Sequence, residues 1–206
     1  MLVQYRTEYR DRFMQAARDG IGLAPVRVAE SCDAVLTNVV VIATPPTFTT
    51  APLTNPVPVT TTAVPPRAAA VIDKATLTRE LVEASGVLSI NVPCVAQAEF
   101  TRAVGGESGK DHPDKLQRCG VRFVPGPATG TPLVDGCTAQ LECRVLPATA
   151  HVAGPHDLIL AEVVGAWADE RVFSQGRWHF EDAPAELRSL HHVAGGHFYA
   201  TGEPVA

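Results

Sequence analysis

The chain has 206 residues and a mass of 21.8 kDa, which favours one domain, because single hydrophobic cores usually close at about 100 to 200 residues. With 46% hydrophobic and 19% charged residues, it has the composition of a globular protein and too little charge for a disordered one. A net charge of -5, with Lys and Arg scattered along the chain, argues against nucleic acid as a partner.

The same composition bears on location and fold class. No apolar run approaches the roughly 20 residues of a membrane-spanning helix, and the N-terminal stretch MLVQYRTEYRDRF is charged, so we expect neither membrane insertion nor secretion. Five cysteines without a CxxC pair are poor material for a zinc site or a disulfide framework, so a reducing cytoplasm is the expected location. Seventeen prolines and sixteen glycines indicate short elements joined by turns, which favours a β-rich barrel or sandwich.

The first third of the chain predicts few regular elements. Within a single domain of residues 1–206, residues 1–20 form a lead-in that contains an amphipathic helix at 5–17. Strands are predicted at 25–29 and 35–43. Residues 44–64 form an atypical Thr- and Pro-rich segment, too rich in proline for a central strand, which we interpret as edge strands and a loop lying on a barrel.

The middle of the chain predicts two strands and two helices. A strand at 68–72 precedes a helix that Asp73 or Thr76 caps and Gly86 ends, with Leu77 and Leu81 facing inward. VLSINVP is a second strand ending at Pro93, and a second helix, a polar glycine-rich loop and a short strand follow it, at 95–104, 105–115 and 121–126.

The C-terminal half predicts an antiparallel hairpin. In TAQLECRVL, apolar residues alternate with Gln140, Glu142 and Arg144, which is typical of a half-buried strand with its polar face in water. HDLILAEVVGAWA is the expected partner strand, joined to the first through a turn at Gly154 and Pro155.

The glycine-rich loop suits an anion. GGESGKD offers Ser108, two glycines and Lys110 or Lys115, which together could bind one phosphate through a hydroxyl, backbone N–H groups and a point charge. It is not a nucleotide-triphosphate loop, because that motif needs glycine where Val104 stands and Ser or Thr where Asp111 stands. An exposed polar turn without function is the alternative.

Other reactive side chains give weaker signals. Ser108 lacks the GxSxG pattern of a hydrolase nucleophile. The C-terminal histidines do not predict a metal site, since the adjacent pair His191 and His192 cannot face one ion from a regular element and no HExxH is present. His156 stands at the mouth of the predicted hairpin, although a lone histidine is usually structural.

Taken in order, five segments resemble one family. They are PPRAAAVID with TLTRELVEASGVLSINVP, then ESGKDHPDKL, PLVDGCTAQLECRVL, GPHDLILAEVVGAWAD and LHHVAGGHFYATGE, spanning roughly residues 65–203. Their order and spacing resemble the flavin reductase-like, or flavoredoxin-like, family of split β-barrel FMN-binding proteins.

The resemblance implies a β-rich domain built on a six-stranded antiparallel split β-barrel with flanking helices. It implies a homodimer that binds FMN, with FAD as an alternative flavin substrate, NADH or NADPH as reductant and a flavin-dependent monooxygenase as partner. It places His156 beside the flavin and nicotinamide as the catalytic residue. The cofactor-binding residues it implies are Asn91, Ser108, Gly109, Lys110, Asp111 and Lys115, together with the hydroxyl donors Thr60, Thr61 and Thr62; no metal is implied.

The leading hypothesis is therefore an NAD(P)H-dependent flavin oxidoreductase that supplies reduced flavin to a monooxygenase. Two alternatives keep the fold. One is a tailoring enzyme acting on an organic, secondary-metabolite substrate, with the Thr- and Pro-rich segment as a pocket wall, and the other is a non-catalytic FMN electron carrier. The sequence leaves the choice between NADH and NADPH open, since it contains no Rossmann fingerprint.

Overall fold

The computed structural model describes residues 40–42, 56–58, 66–120, 122–147, 154–193 and 197–203. The predicted helix at 5–17, the strand at 25–29 and most of the segment 44–64 lie outside these residues. The single domain of residues 1–206 stays a prediction.

A six-stranded antiparallel sheet organises the described residues. The strands β1 (Val40–Ile42), β4 (Val87–Val92), β7 (Ala139–Val145) and β8 (Leu158–Asp169) lie side by side in that order. The second edge of the long strand β8 pairs with β3 (Arg67–Val71) near its start and with β2 (Pro56–Pro58) at its end. The predicted β-rich, antiparallel fold class is confirmed. The two prolines of β2 fit an edge strand, as expected for this part of the Pro-rich segment.

Smaller elements surround this sheet. Three hairpins pair β5 with β6, β9 with β10 and β11 with β12; the strands are Phe123–Pro125, Pro132–Val134, Phe173–Ser174, Arg177–Trp178, Leu190–Val193 and His197–Ala200. The α-helices among the described residues are α1 (Leu77–Ser85), α2 (Ala98–Gly106) and α3 (Lys115–Arg118). The longest helices in the described ranges have nine residues, well short of a bilayer-spanning helix.

Local signals determine α1. The Thr76 hydroxyl accepts a hydrogen bond of 3.2 Å from the amide of Arg79, which caps the helix start. Gly86 ends the helix in the left-handed conformation at φ 70°, where other residues are strained. Val82 is the fully buried apolar residue of this helix, whereas Leu77 and Leu81, which were expected to face inward, are half-buried.

One face of the sheet forms the main hydrophobic core. Alternate residues of the central strands point to this face because successive side chains in a strand alternate between its two sides. The core includes Ile72, Val82, Leu88, Ile90, Cys143, Ile159, Ala161, Val163 and Ala166. Burial of this face accounts for the apolar half of the alternation seen in β4 and β7.

The opposite face is also buried, which corrects the expectation of a half-solvated β7. Gln140 and Glu142 were expected to face water, yet they are only 4% and 0% exposed. The β5–β6 hairpin covers them. The Gln140 amide donates to the carbonyls of Val134 and Cys137, and the Glu142 carboxylate accepts bonds from the loop that joins β5 to β6.

Candidate functional site

The SGKD loop (residues 108–111) lies against the first turn of α1. A methyl group added at Gly109 would stand 3.0 Å from Cδ2 of Leu77 and 3.7 Å from Cε of Lys115. A side chain at position 109 would therefore contact Leu77 closely, and the leucine or the loop would have to shift slightly to admit it. Glycine thus allows the loop and the helix to lie close together, and its backbone takes no left-handed conformation.

The loop turns so that its polar groups face solvent. The Lys110 amide donates to Oγ of Ser108 at 3.2 Å, and the His112 amide donates to the Ser108 carbonyl at 3.0 Å. The side chains of Ser108, Lys110 and Asp111 are exposed. A hydroxyl, a cation and a carboxylate are thus presented together on one turn.

Lys110 forms an ion pair with α1. Its ammonium is 2.5 Å from Oε1 of Glu80, and the two side chains are 38% and 56% exposed. Glu80 belongs to the first turn of α1, where an acidic residue interacts favourably with the helix dipole. The pair holds the lysine head beside the start of the helix.

Lys115 lies beneath the loop. Its buried ammonium donates to the carbonyls of Val104 at 3.1 Å and Glu107 at 2.8 Å, which satisfies acceptors at the C-terminal end of α2. Burial lowers the pKa of this ammonium below its ordinary value. The helix runs through Gly105 and Gly106, which the sequence had assigned to the loop, because the lysine supplies donors at that end. Its predicted contact with the cofactor stays a prediction.

His156 precedes β8. It ends the short 3-10 turn Gly154–His156 and is half-buried. The next residue, Asp157, takes the left-handed conformation at φ 56°, and its carbonyl accepts a 2.9 Å bond from the amide of Ile72, which extends the β3–β8 pairing. Oδ1 of Asp157 is 3.3 Å from Nζ of Lys74. His156 therefore stands at the end of the β3–β8 ladder.

The stretch from Lys74 to Glu80, which runs from the β3–α1 connection into the first turn of α1, contacts two distant parts of the chain. Lys74 contacts Asp157, the neighbour of His156, and Glu80 contacts Lys110 of the SGKD loop. Asp157 and the loop, which are more than 40 residues apart in the sequence, thus both lie next to this stretch.

Asn91 lies elsewhere. Its side chain is 0% exposed, its Oδ1 accepts a 2.8 Å bond from the Val134 amide, and its Nδ2 donates to Oγ of Ser89 at 3.1 Å. These bonds anchor the β5–β6 hairpin on β4. The predicted contact of Asn91 with the flavin stays a prediction, as do those of Thr60, Thr61 and Thr62, which lie outside the described residues.

Four further histidines, His179, His191, His192 and His197, lie in or next to two hairpins. In the β11–β12 hairpin, the ring of His192 lies beside that of Phe198, with centroids 5.2 Å apart and planes inclined by 55°, and His191 contacts the Thr201 hydroxyl. After β10, three side chains that sequence analysis did not single out bring metal-ligating atoms within 4.8 Å of one another: His179, Glu181 and Asp182. Both carboxylates are exposed, and the Nε2 atom of His179 is hydrogen-bonded to Ser174.

Sequence reasoning missed Glu80. It precedes Lys110 by 30 positions in the chain, and no motif links the two residues. A glutamate in the first turn of a helix is common and predicts nothing more than a favourable dipole interaction. Only the packing of the SGKD loop on α1 makes the pair visible.

The six-stranded antiparallel sheet, with its flanking helices and hairpins, defines a β-rich domain, and the SGKD loop presents a serine and a lysine on its surface. Residues 33–188 match the family model described as flavin reductase like domain, and the chain belongs to this family. The resemblance found in the sequence is confirmed.

Individual relatives agree with this assignment. The uncharacterized protein YddH of Escherichia coli K12 is 47% identical over 142 residues, covering 68% of this chain and 73% of that protein. The structure of an FMN-binding domain of flavin reductases-like enzyme from Shewanella baltica OS155 aligns with a TM-score of 0.69 at 41% identity, covering 82% of this chain and 87% of that one. The FMN reductase (NADH) RutF of Variovorax paradoxus S110 is 30% identical over 109 residues, covering 49% of this chain and 54% of that protein.

Proposed function

We propose that this protein is an FMN-binding, NAD(P)H-dependent flavin oxidoreductase. The observation that carries the proposal is the SGKD loop, which presents a hydroxyl and an ammonium on one exposed turn in a chain of the flavin reductase-like family. The names of two relatives support it: the Shewanella baltica domain is FMN-binding, and RutF is an FMN reductase that uses NADH.

The chemistry of the loop fits a flavin phosphate. The Ser108 hydroxyl and backbone N–H groups can donate to phosphate oxygens, and the Lys110 ammonium supplies an opposite charge. Gly109 lets the loop backbone lie close to α1, which holds Ser108 and Lys110 beside the helix. A carboxylate repels phosphate but accepts bonds from hydroxyl groups, so we place Asp111 beside the ribityl chain. Lys115 lies beneath the loop, with its Cε atom 3.7 Å from the position that a Cβ atom at Gly109 would take.

The residues of this chain position the reactants. When bound, FMN supplies the hydride chemistry that amino-acid side chains lack. Ser108 and Lys110 fix the phosphate end, and His156 orients the nicotinamide over the ring or polarises the flavin. Small misplacements of reacting atoms can cost about a hundredfold in rate, so orientation by His156 is its proposed contribution.

The finer parts of the proposal concern reductant, partner and assembly. NADH and NADPH are both candidate reductants, FAD is an alternative flavin substrate, and a flavin-dependent monooxygenase is the proposed consumer of reduced flavin. We propose a homodimer because an open split barrel would leave a flavin face and apolar edge strands in water. The cytoplasmic location stays a prediction.

Binding of FMN tests the phosphate site. Replacement of Lys110 by Ala removes a charge-assisted hydrogen bond worth about 1.5 to 3 kcal/mol, so FMN should bind about tenfold or more weakly. Quenching of flavin fluorescence during titration measures the affinity. Arg177→Ala, which removes one exposed positive charge from the β9–β10 hairpin, is the control and should leave the affinity unchanged. Equal affinities of Lys110→Ala and the wild type would remove the loop from the site.

Flavin reduction tests the activity. An oxidised flavin absorbs at about 450 nm. Under anaerobic conditions, this absorbance should decrease when NADH or NADPH is added to the FMN complex. Nicotinamide oxidation without added flavin should be negligible. A flavin that binds but stays oxidised with both nicotinamides would contradict the reductase assignment and favour the electron carrier or the tailoring enzyme.

A further inference from the structure

Lys110 forms an ion pair with a residue of the neighbouring helix. The Glu80 carboxylate stands 2.5 Å from its ammonium, and both groups retain contact with solvent, at 56% and 38% exposure. Glu80 is held on α1, whereas Lys110 is on an exposed turn. A phosphate that binds this ammonium must therefore displace the carboxylate or share the cation with it.

The packing of the loop on α1 keeps Glu80 near Lys110. A Cβ atom added at Gly109 would stand 3.0 Å from Cδ2 of Leu77, so the loop backbone lies close to the first turn of α1. Glu80 lies one turn along the same helix from Leu77, on the same side, because residues three positions apart share a helix face. The carboxylate consequently stays close to the position that an anion on Lys110 would occupy.

We propose that Glu80 competes with the FMN phosphate for Lys110 and so determines how readily the protein exchanges its flavin. This inference rests on the proposed function. A carboxylate carries one negative charge and a flavin phosphate nearly two, so the phosphate binds Lys110 in preference to Glu80. The competing carboxylate lowers the affinity of this binding. The competition lowers the affinity for FMN and leaves the affinity for a flavin without a phosphate unchanged.

The expected effect follows from the exposure of the pair. Ion pairs between partly exposed groups are worth about 0.2 to 1 kcal/mol, which corresponds to a factor of about 1.5 to 5 in affinity. Glu80→Gln, which keeps the shape and removes the charge, should therefore tighten FMN binding by about 1.5- to 5-fold. Glu80→Ala should act in the same direction, since Ala keeps the helix intact.

The matched control is Glu83→Gln. Glu83 is on the same helix, is 60% exposed and forms an ion pair with Arg79 at 2.6 Å, so this substitution removes the same charge from α1 without touching Lys110. Riboflavin is the second control, because it carries the same ring and ribityl chain as FMN but has no phosphate. Glu80→Gln should leave riboflavin affinity unchanged, and Glu83→Gln should leave both affinities unchanged.

The experiment titrates FMN and riboflavin into the wild type, Glu80→Gln, Glu80→Ala, Glu83→Gln, Lys110→Met and the Glu80→Gln/Lys110→Met double variant, with circular dichroism as a check on folding. Tighter FMN binding in both Glu80 variants, absent for riboflavin and absent when Lys110 is Met, supports the inference. Equal tightening by Glu83→Gln, equal tightening for riboflavin, or unchanged FMN affinity in the Glu80 variants overturns it.

These outcomes separate the inference from the proposed function. If Lys110→Met weakens FMN binding while the Glu80 variants match the wild type, the phosphate site stands and the competition is refuted. If Lys110→Met leaves FMN affinity unchanged, both the phosphate site and the competition are refuted. If the wild type binds neither FMN nor riboflavin, the proposed function itself fails.

Discussion

Glu142 should be the side chain on which the attachment of the β5–β6 hairpin depends most. Its carboxylate is 0% exposed and accepts hydrogen bonds from the Ala128 amide at 3.0 Å, the Thr129 amide at 2.6 Å and the Thr129 hydroxyl at 2.5 Å. A Cβ atom at Gly126 would lie 2.2 Å from this carboxyl group, so the loop fits closely around it. The perturbation is Glu142→Gln, which keeps the shape and replaces one acceptor oxygen by a donor.

The magnitude follows from the three bonds. The new glutamine side chain can place its NH2 group toward the single Ala128 amide or toward the two donors of Thr129, and the first orientation costs less. One bond to a charged acceptor is then lost, and two donors face each other. Such a bond contributes about 1.5 to 3 kcal/mol. Removal of a buried charge returns part of this loss through cheaper desolvation. We expect a net decrease of about 2 kcal/mol in the free energy of unfolding.

Equilibrium unfolding in guanidinium chloride, at one fixed protein concentration, measures this decrease. The midpoint should fall with an unchanged slope, because the surface exposed on unfolding stays the same. Arg144→Gln, two positions along β7 and exposed, is the control and should stay within about 0.5 kcal/mol of the wild type. Thr129→Val should destabilise the wild type more than the Glu142→Gln variant, since the two groups share a bond. A Glu142→Gln variant as stable as the control would refute the reasoning.

Three further predictions concern the thiols, His156 and assembly. Burial raises the pKa of Cys143 to about 12 and raises the pKa values of Cys94 and Cys137. In a Cys32→Ser variant at pH 8, a thiol reagent should therefore modify only the half-buried Cys119 until the protein unfolds. The same shifts mean that unfolded thiols ionise first. In a Lys115→Met background, which removes the opposite contribution of the lowered lysine pKa, the free energy of unfolding should fall as the pH rises above the ordinary thiol value of 9.0, and a level profile to pH 10 would contradict this. His156→Ala should slow anaerobic flavin reduction by about ten- to a hundredfold in stopped flow with FMN affinity within a few fold; an unchanged rate would make His156 structural. Light scattering of the FMN complex should give twice 21.8 kDa, and a monomer mass would argue against the homodimer.

The sequence by itself determined the elements whose causes are local. Helix α1 could be predicted because Thr76 caps its first turn and Gly86 ends it, and both effects act within a few residues. The strand β7 could be predicted because its apolar residues alternate with polar ones, a period of two that holds whatever the strand packs against. The SGKD loop could be singled out because its residue types alone suit an anion.

Only the tertiary structure decided which groups meet. The alternation in β7 predicts two different faces but not what covers the polar one, and the burial of Gln140 and Glu142 depends on a hairpin that folds over them. The charge of Lys110 is readable in the sequence, whereas its pairing with Glu80, 30 positions earlier, depends on how the loop packs on α1. Contacts between distant positions are set by the arrangement of whole elements, which residue spacing along the chain does not encode.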